Sequence, residues 1–348
     1  MKQRIQARHM IHQIFMQGIK LTSYIKKEVL KVKNAHYNES NTPQGNNTSA
    51  SLTVGDSLQH TTIEMVGCDD EFNMIIDKLN QQSKQREIVS IVGMGGIGKT
   101  TLAKRIYGDA SFIFRFDCRA WVTISQVYNP TKVFKTLLHS LAPRVLEENN
   151  EASNNELVEI VYKCLKRQRY LIIIDDIWST DVWCDLQKCF PDDNNQSRIL
   201  LTTRLKNVAD YAGSDGNLCH TMRFLDSYES WNLFQNQVLP QRITLSPEFE
   251  RIGREIVNKC KGLPLAINVV AGLLSNPKQD LNEWKQIAKN VHTLSIDHSN
   301  EQGENIIDLS YTFLPHHLKQ CFLSLGLFPE DTELNENFIV DFGFGRDF

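Results

Sequence analysis

One short stretch limits what this 348-residue chain can fold into more than any other: Gly93-Met94-Gly95-Gly96-Ile97-Gly98-Lys99-Thr100. The apolar run Ile88-Val89-Ser90-Ile91-Val92 precedes it and reads as a short buried strand. The residues that follow, Thr101-Leu102-Ala103-Lys104-Arg105-Ile106-Tyr107, are good helix formers with no breaker among them. Strand, glycine-rich turn and helix in that order build a loop whose inward N–H groups, together with the helix N-terminus, cradle an anion. The contact set for a nucleotide's phosphates is then Gly93, Gly95, Gly96, Ile97, Gly98, Lys99, Thr100 and Thr101. Lys99 reaches the β- and γ-phosphates, and the Thr100 hydroxyl ligates Mg2+.

A loop of this kind needs a parallel sheet, and the chain around it supplies one. Phe116–Ser125, Tyr170–Ile174 and Ser197–Arg204 read as further strands, with helical patterns at 66–86 and 130–142 and a polar, loop-like stretch at 147–155. Strands alternating with helices predict an α/β fold with ligands at the carboxyl ends of the strands. Beyond about residue 224 only helices are expected. Asp226 and Glu229 have capping-box spacing. Phe249, Ile252, Ile256 and Cys260 make an apolar stripe, and Gly262 and Pro264 stop one helix and start the next. Further helices are read around Trp284–Val291, at Ile306–Leu314 and at Leu318–Leu325.

Two strand ends carry charge. Leu171-Ile172-Ile173-Ile174 closes on Asp175-Asp176. A carboxylate at that point is where a phosphate-bound Mg2+ needs an acidic ligand, so Asp175 is the metal residue. Asp176 orients or deprotonates a water. Alternation along a strand points the two carboxylates opposite ways and gives them different tasks. Arg204 ends the next strand, where a surface arginine and a sensor of the terminal phosphate are both compatible with its position.

Composition excludes other classes. A net charge of −3 argues against binding nucleic acid through a broad basic surface. Eight scattered cysteines without a C-x-x-C pair read as reduced thiols in a cytoplasmic protein. Neither a signal sequence nor a transmembrane run is visible. Asp341-Phe342-Gly343 has no kinase context, and His9, His12, His316 and His317 lack partners at metal-ligand spacing.

Taken in order, these segments resemble the plant intracellular immune receptors of the NB-ARC, nucleotide-binding leucine-rich-repeat family. The resemblance rests on Gly93–Thr101, Phe116–Val122, Leu171–Trp178, Ser197–Arg204, Cys260-Lys261-Gly262-Leu263-Pro264-Leu265-Ala266 and Cys321–Asp331. Trp178 is similar to the coiled-coil branch of that family. The implied architecture is a residual coiled-coil helix at 1–40, a linker at 41–62 and a nucleotide-binding P-loop domain at 63–222. A helical ARC1 segment at 223–277 and an incomplete winged-helix ARC2 segment at 278–348 follow.

By matched position the resemblance puts Val66 and Gly67 near the adenine edge and Pro264 against the base. It implies an ATP/ADP switch with Mg2+: ADP holds the off state, and ATP permits oligomerisation, defence signalling and the hypersensitive response. Hydrolysis is at most slow. Other immune receptors or guarded host proteins are the implied partners. The absent Met-His-Asp motif and leucine-rich repeats suggest a truncated form and argue against self-association. An active P-loop ATPase or kinase and a nucleotide-independent interaction module or decoy stand as alternatives.

Overall fold

The computed structural model describes residues 65–125, 127–213, 218–238, 245–275 and 280–291. The residual coiled-coil helix, the linker and the helices expected at 306–314 and 318–325 lie outside the described residues.

The sheet has five parallel strands: β1 (Glu87–Val92), β2 (Cys118–Thr123), β3 (Tyr170–Asp175), β4 (Arg198–Thr203) and β5 (Cys219–Thr221). Their order across the sheet is β2-β3-β4-β1-β5. The burial of each strand follows from its place. Every residue of β3 and β4 is buried, as are all of β1 after Glu87, because helices cover both faces of the sheet's interior. The edge strands β2 and β5 alternate or stay half-exposed.

Helices α1 (Asp69–Leu79), α2 (Lys99–Tyr107), α3 (Ala110–Ile113), α4 (Pro130–Leu141), α5 (Pro143–Glu148), α6 (Asn154–Leu165), α7 (Thr180–Leu186) and α8 (Lys206–Tyr211) fill the connections. Ile172, Ile174, Ile199 and Leu201 share one core with Phe134 of α4 and Val161 of α6. The stretch expected to be loop at 147–155 is shorter than that. Pro143 starts the one-turn-plus helix α5, and the Glu156 carboxylate caps α6 by accepting the Ser153 N–H at 2.7 Å. β5 also lies outside the expectation: Cys219-His220-Thr221 has no apolar run and is a strand because it pairs with Ser90-Ile91-Val92.

After β5 the described chain is helical: α9 (Ser227–Val238), α10 (Pro247–Lys259), α11 (Pro264–Leu274) and α12 (Leu281–Asn290). The capping box forms as spaced. Asp226 N–H donates to Glu229 Oε2 and Glu229 N–H to Asp226 Oδ1, both at 2.8 Å. Trp231, Phe234, Phe249 and Trp284 lock three of these helices through ring contacts of 5.0–6.0 Å. α10 ends in two successive left-handed residues, Lys261 (φ +52°) just past the Cys260 cap and then Gly262 (φ +75°), and Pro264 opens α11.

Candidate functional site

The strand order decides what can meet. β4 lies between β1 and β3, so its carboxyl end stands between the loop that leaves β1 and the carboxylates that leave β3. All three ends open on the same rim of the sheet.

The loop from Gly93 to Gly98 is bent by Gly96 (φ +77°) and Gly98 (φ +106°), conformations that other residues adopt only under strain. No side chain caps α2, whose N-cap is Gly98, so its first N–H groups keep their capacity for an anion. Lys99 folds back over the loop and donates from Nζ to the Gly93 and Met94 carbonyls at 2.9 and 3.0 Å. Lys99 is 6% exposed, and burial pushes its pKa down to about 8, with Asp176 pulling up, Arg204 further down and Asp175 up. Two neutral carbonyls under-compensate a desolvated cation, so the site is electrostatically prepared for a polyanion. Ile97 is buried against Gly93, and Thr101 is half-buried in the first turn of α2.

Asp175 ends β3 with its carboxylate buried. Thr100 Oγ1 donates to it, 2.9 Å from Oδ1 and 3.1 Å from Oδ2, and Thr202 Oγ1 donates to Oδ1 at 2.6 Å. Desolvation raises the Asp175 pKa, an effect that the Thr202 and Thr100 hydrogen bonds oppose. Thr202 belongs to the strand that separates β1 from β3, and its hydroxyl also accepts the Asp176 N–H at 2.8 Å. The sequence reading did not single out Thr202. Its signal was a threonine pair, Thr202-Thr203, following the aliphatic run Ile199-Leu200-Leu201 at the carboxyl end of a central strand.

Asp176 departs from the alternation argument. It has left the strand at φ +56°, so strand geometry does not set its direction. Its carboxylate faces Arg204, with 3.4 Å between Oδ2 and Nη2, while Asp175 turns into the protein toward Thr100 and Thr202. The two do occupy different environments, for a reason other than the one expected. Arg204 reaches the loop: a Cβ on Gly95 would stand 3.2 Å from its Nη1.

Chain neighbours of the candidates read from the resemblance touch the same loop. Pro264 is the first residue of α11, and its neighbour Leu265 donates its N–H to the Gly96 carbonyl at 3.2 Å. A Cβ on Gly96 would fall 2.6 Å from the Leu265 side chain, so that glycine is also required by close approach. Met65 reaches Gly98, where its Cε would be 3.3 Å from an added Cβ. Val66 is half-buried beside it, and Gly67 (φ +75°) lies against the Glu229 side chain. Leu265 belongs to the motif Cys260–Ala266 read in the sequence, but no site role was expected of it.

A hydroxyl and a carboxylate make an oxygen donor set suited to Mg2+. Among the described residues no group of three or more His, Cys, Asp or Glu could hold a metal ion by itself. The seven described cysteines are free thiols. No described helix is long and apolar enough to cross a membrane.

Residues 68–244 match the NB-ARC domain family. A late blight resistance protein homolog of Solanum demissum is 39% identical over 313 residues, covering 88% of this chain and 23% of that protein. Late blight resistance protein R1-A of the same species is 41% identical over 271 residues, covering 77% of this chain and 20% of that protein. The chain thus spans about a fifth of the length of the curated relatives it matches. Among solved structures, the Aeropyrum pernix ORC2 protein in ADPNP-ADP complexes aligns at 15% identity and a TM-score of 0.47, covering 66% of this chain and 68% of that one. The family match covers the phosphate loop, both strand-end carboxylates and Arg204 alike: the chain belongs to the NB-ARC family, the nucleotide-binding domain family of plant disease-resistance proteins.

Proposed function

We propose that this chain is the ATP/ADP-binding switch of a plant intracellular immune receptor, with its P-loop domain at 63–222, ARC1 at 223–277 and ARC2 at 278–348. The observation that carries the reading is the convergence of Lys99, Thr100, Asp175 and Arg204 on one loop, each held by named contacts. Bound Mg2+ would neutralise charge on the β- and γ-phosphates, with Thr100 and Asp175 as its protein ligands. Lys99 and the N-terminus of α2 supply positive charge to the phosphates. Val66, Gly67 and Pro264 flank the nucleoside side of the loop. Asp176 is placed at the more open edge, where it accepts or orients a water proton. Partners and defence signalling belong to the longer receptors that the chain resembles, and are proposed for it through them.

A switch is favoured over a kinase or rapid ATPase by the Leu265–Gly96 contact, which ties the helical segment onto the loop itself. Two measurements test this together. Nucleotide released from the purified chain should be mostly ADP, and steady-state turnover should fall well below the roughly 1–1000 per second of ordinary enzymes. Rapid repeated turnover with a small acceptor would overturn the switch.

Lys99→Arg keeps the charge, but a planar guanidinium cannot take the compact position between the Gly93 and Met94 carbonyls. Affinity for ADP should fall about tenfold or more, the scale of one charge-assisted contact, with the melting temperature little changed. Unchanged ADP affinity would mean that this loop is not the phosphate cradle.

The two carboxylates should separate in the same assay. Asp175→Ala is expected to weaken Mg2+-dependent ATP binding more than ADP binding. Asp176→Ala should leave binding largely intact and slow single-turnover hydrolysis. Indistinguishable nucleotide profiles for the two variants would end this division of labour.

A further inference from the structure

Trp178 is a large side chain close behind the strand-end carboxylates, and the switch reading gives it no task. It follows Ile177, which is pinned to β4 on both sides of its peptide. The Ile177 N–H donates to the Thr202 carbonyl at 2.9 Å, and its own carbonyl accepts the Thr203 hydroxyl at 2.7 Å. The backbone that carries Trp178 is therefore fixed to the strand that Arg204 leaves.

The indole lies under the guanidinium, with the Arg204 Cζ 4.4 Å from the ring centroid. The Asp176 carboxylate lies 3.4 Å from Nη2, longer than the roughly 2.7–2.9 Å of a tight charge-assisted bond, so it holds the arginine only loosely. Gly95 bounds the third side, because an added Cβ would come 3.2 Å from Nη1. Among these neighbours it is the ring that lies against the face of the guanidinium. Stacking engages the face of a guanidinium and none of its in-plane N–H groups, which suits a residue that must also meet an anion.

We propose that Trp178 is a positioning residue: its indole face holds the Arg204 guanidinium against Gly95, oriented for the terminal phosphate of a nucleoside triphosphate. The proposal rests on the nucleotide reading of the loop and assigns the preference for triphosphate over diphosphate to a pair, ring and cation, in place of the arginine alone. In this arrangement the ring restricts the arginine before any ligand arrives, so ATP binding need not order it.

The test compares Trp178→Leu, Trp178→Phe and Arg204→Ala in the 348-residue chain, alone and combined, for ADP and for ATP with Mg2+. Trp178→Leu should weaken ATP binding about three- to thirtyfold, the range of a cation–π contact, and ADP binding by less than about twofold. Trp178→Phe should restore most of the loss. The effect of Trp178→Leu should vanish in the Arg204→Ala background, since the two act as one unit. Without nucleotide, the indole should shift the Arg204 Nε–H proton resonance upfield, and Trp178→Leu should abolish the shift. Equal losses for ATP and ADP that persist without Arg204 would make Trp178 a packing residue and overturn the proposal. A parent chain that bound neither nucleotide would sink the switch reading itself, and this role with it.

Discussion

Replacing Arg198 with Met is expected to lower the unfolding free energy by about 3–5 kcal/mol, the cost of breaking a buried ionic network at one partner. Arg198 opens β4 and is completely buried. Its guanidinium donates to five carbonyls: Leu79 from Nε at 3.1 Å, Gln85 and Ser197 from Nη1 at 3.0 Å, and Gln81 and Ser83 from Nη2 at 2.7 and 3.1 Å. The Glu87 carboxylate stands 3.2 Å away. The side chain thus gathers the whole connection between α1 and β1 onto the base of the sheet. Methionine would fill much of the volume, take the guanidinium donor from the Leu79, Gln81, Ser83 and Gln85 carbonyls and the cation from Glu87, and leave Ser197 only the Glu87 N–H at 3.2 Å. Arg198→Lys should recover only a minor part, because one ammonium has three donors and no fork. Urea unfolding measures the effect. A loss below about 1 kcal/mol for Arg198→Met would show that water replaces the guanidinium at little cost.

The second large effect is expected at the turn between α10 and α11. Gly262 has φ +75°, and a Cβ there would lie 2.2 Å from the Leu225 carbonyl oxygen and 3.1 Å from its nitrogen. The same two residues are joined by a hydrogen bond, Leu225 N–H to Gly262 O at 3.0 Å. The obstacle is backbone, which cannot rotate aside as a long side chain would. Gly262→Ala should cost about 3 kcal/mol or more, combining strain at positive φ with overpacking. Gly213 is the control. It has φ +88° with nothing within 4 Å of an added Cβ, so Gly213→Ala should cost only the conformational part, about 1 kcal/mol. Equal shifts in melting temperature for the two variants would mean that the close approach to Leu225 relaxes freely.

What could be read in the sequence was what a local pattern encodes. The aliphatic runs of β1, β3 and β4 are legible because strands covered on both faces need little polarity. Lys99, Thr100 and Asp175 follow from residue order, since one strand–loop–helix unit and one strand end suffice to place them. The rest depends on long-range pairing. Cys219–Thr221 is a strand only beside β1, and nothing in the strand Ser197–Arg204 foretells that Arg198 reaches the end of α1. The left-handed turn at Asp176 has no sequence signature of its own, as its residue type tolerates that conformation without requiring it. Arg204 stayed ambiguous for a related reason. Its surroundings, Gly95, Trp178 and Asp176, come from three separate segments.

The hydrogen bond from Leu265 to Gly96 gives the loop a second master. The Gly96 peptide has its carbonyl committed to the start of α11, so rotation of that peptide deprives the helix of an acceptor for one of its unpaired N–H groups. Loop shape and helix attachment are then a single coordinate viewed from two ends. Reciprocity follows from thermodynamics: if an anion in the loop loosens α11 by some factor, a load that pulls on α11 changes the loop's affinity for the anion by that same factor. Force applied far along the helical segment would in this way be legible at the phosphates, with no contact between the two.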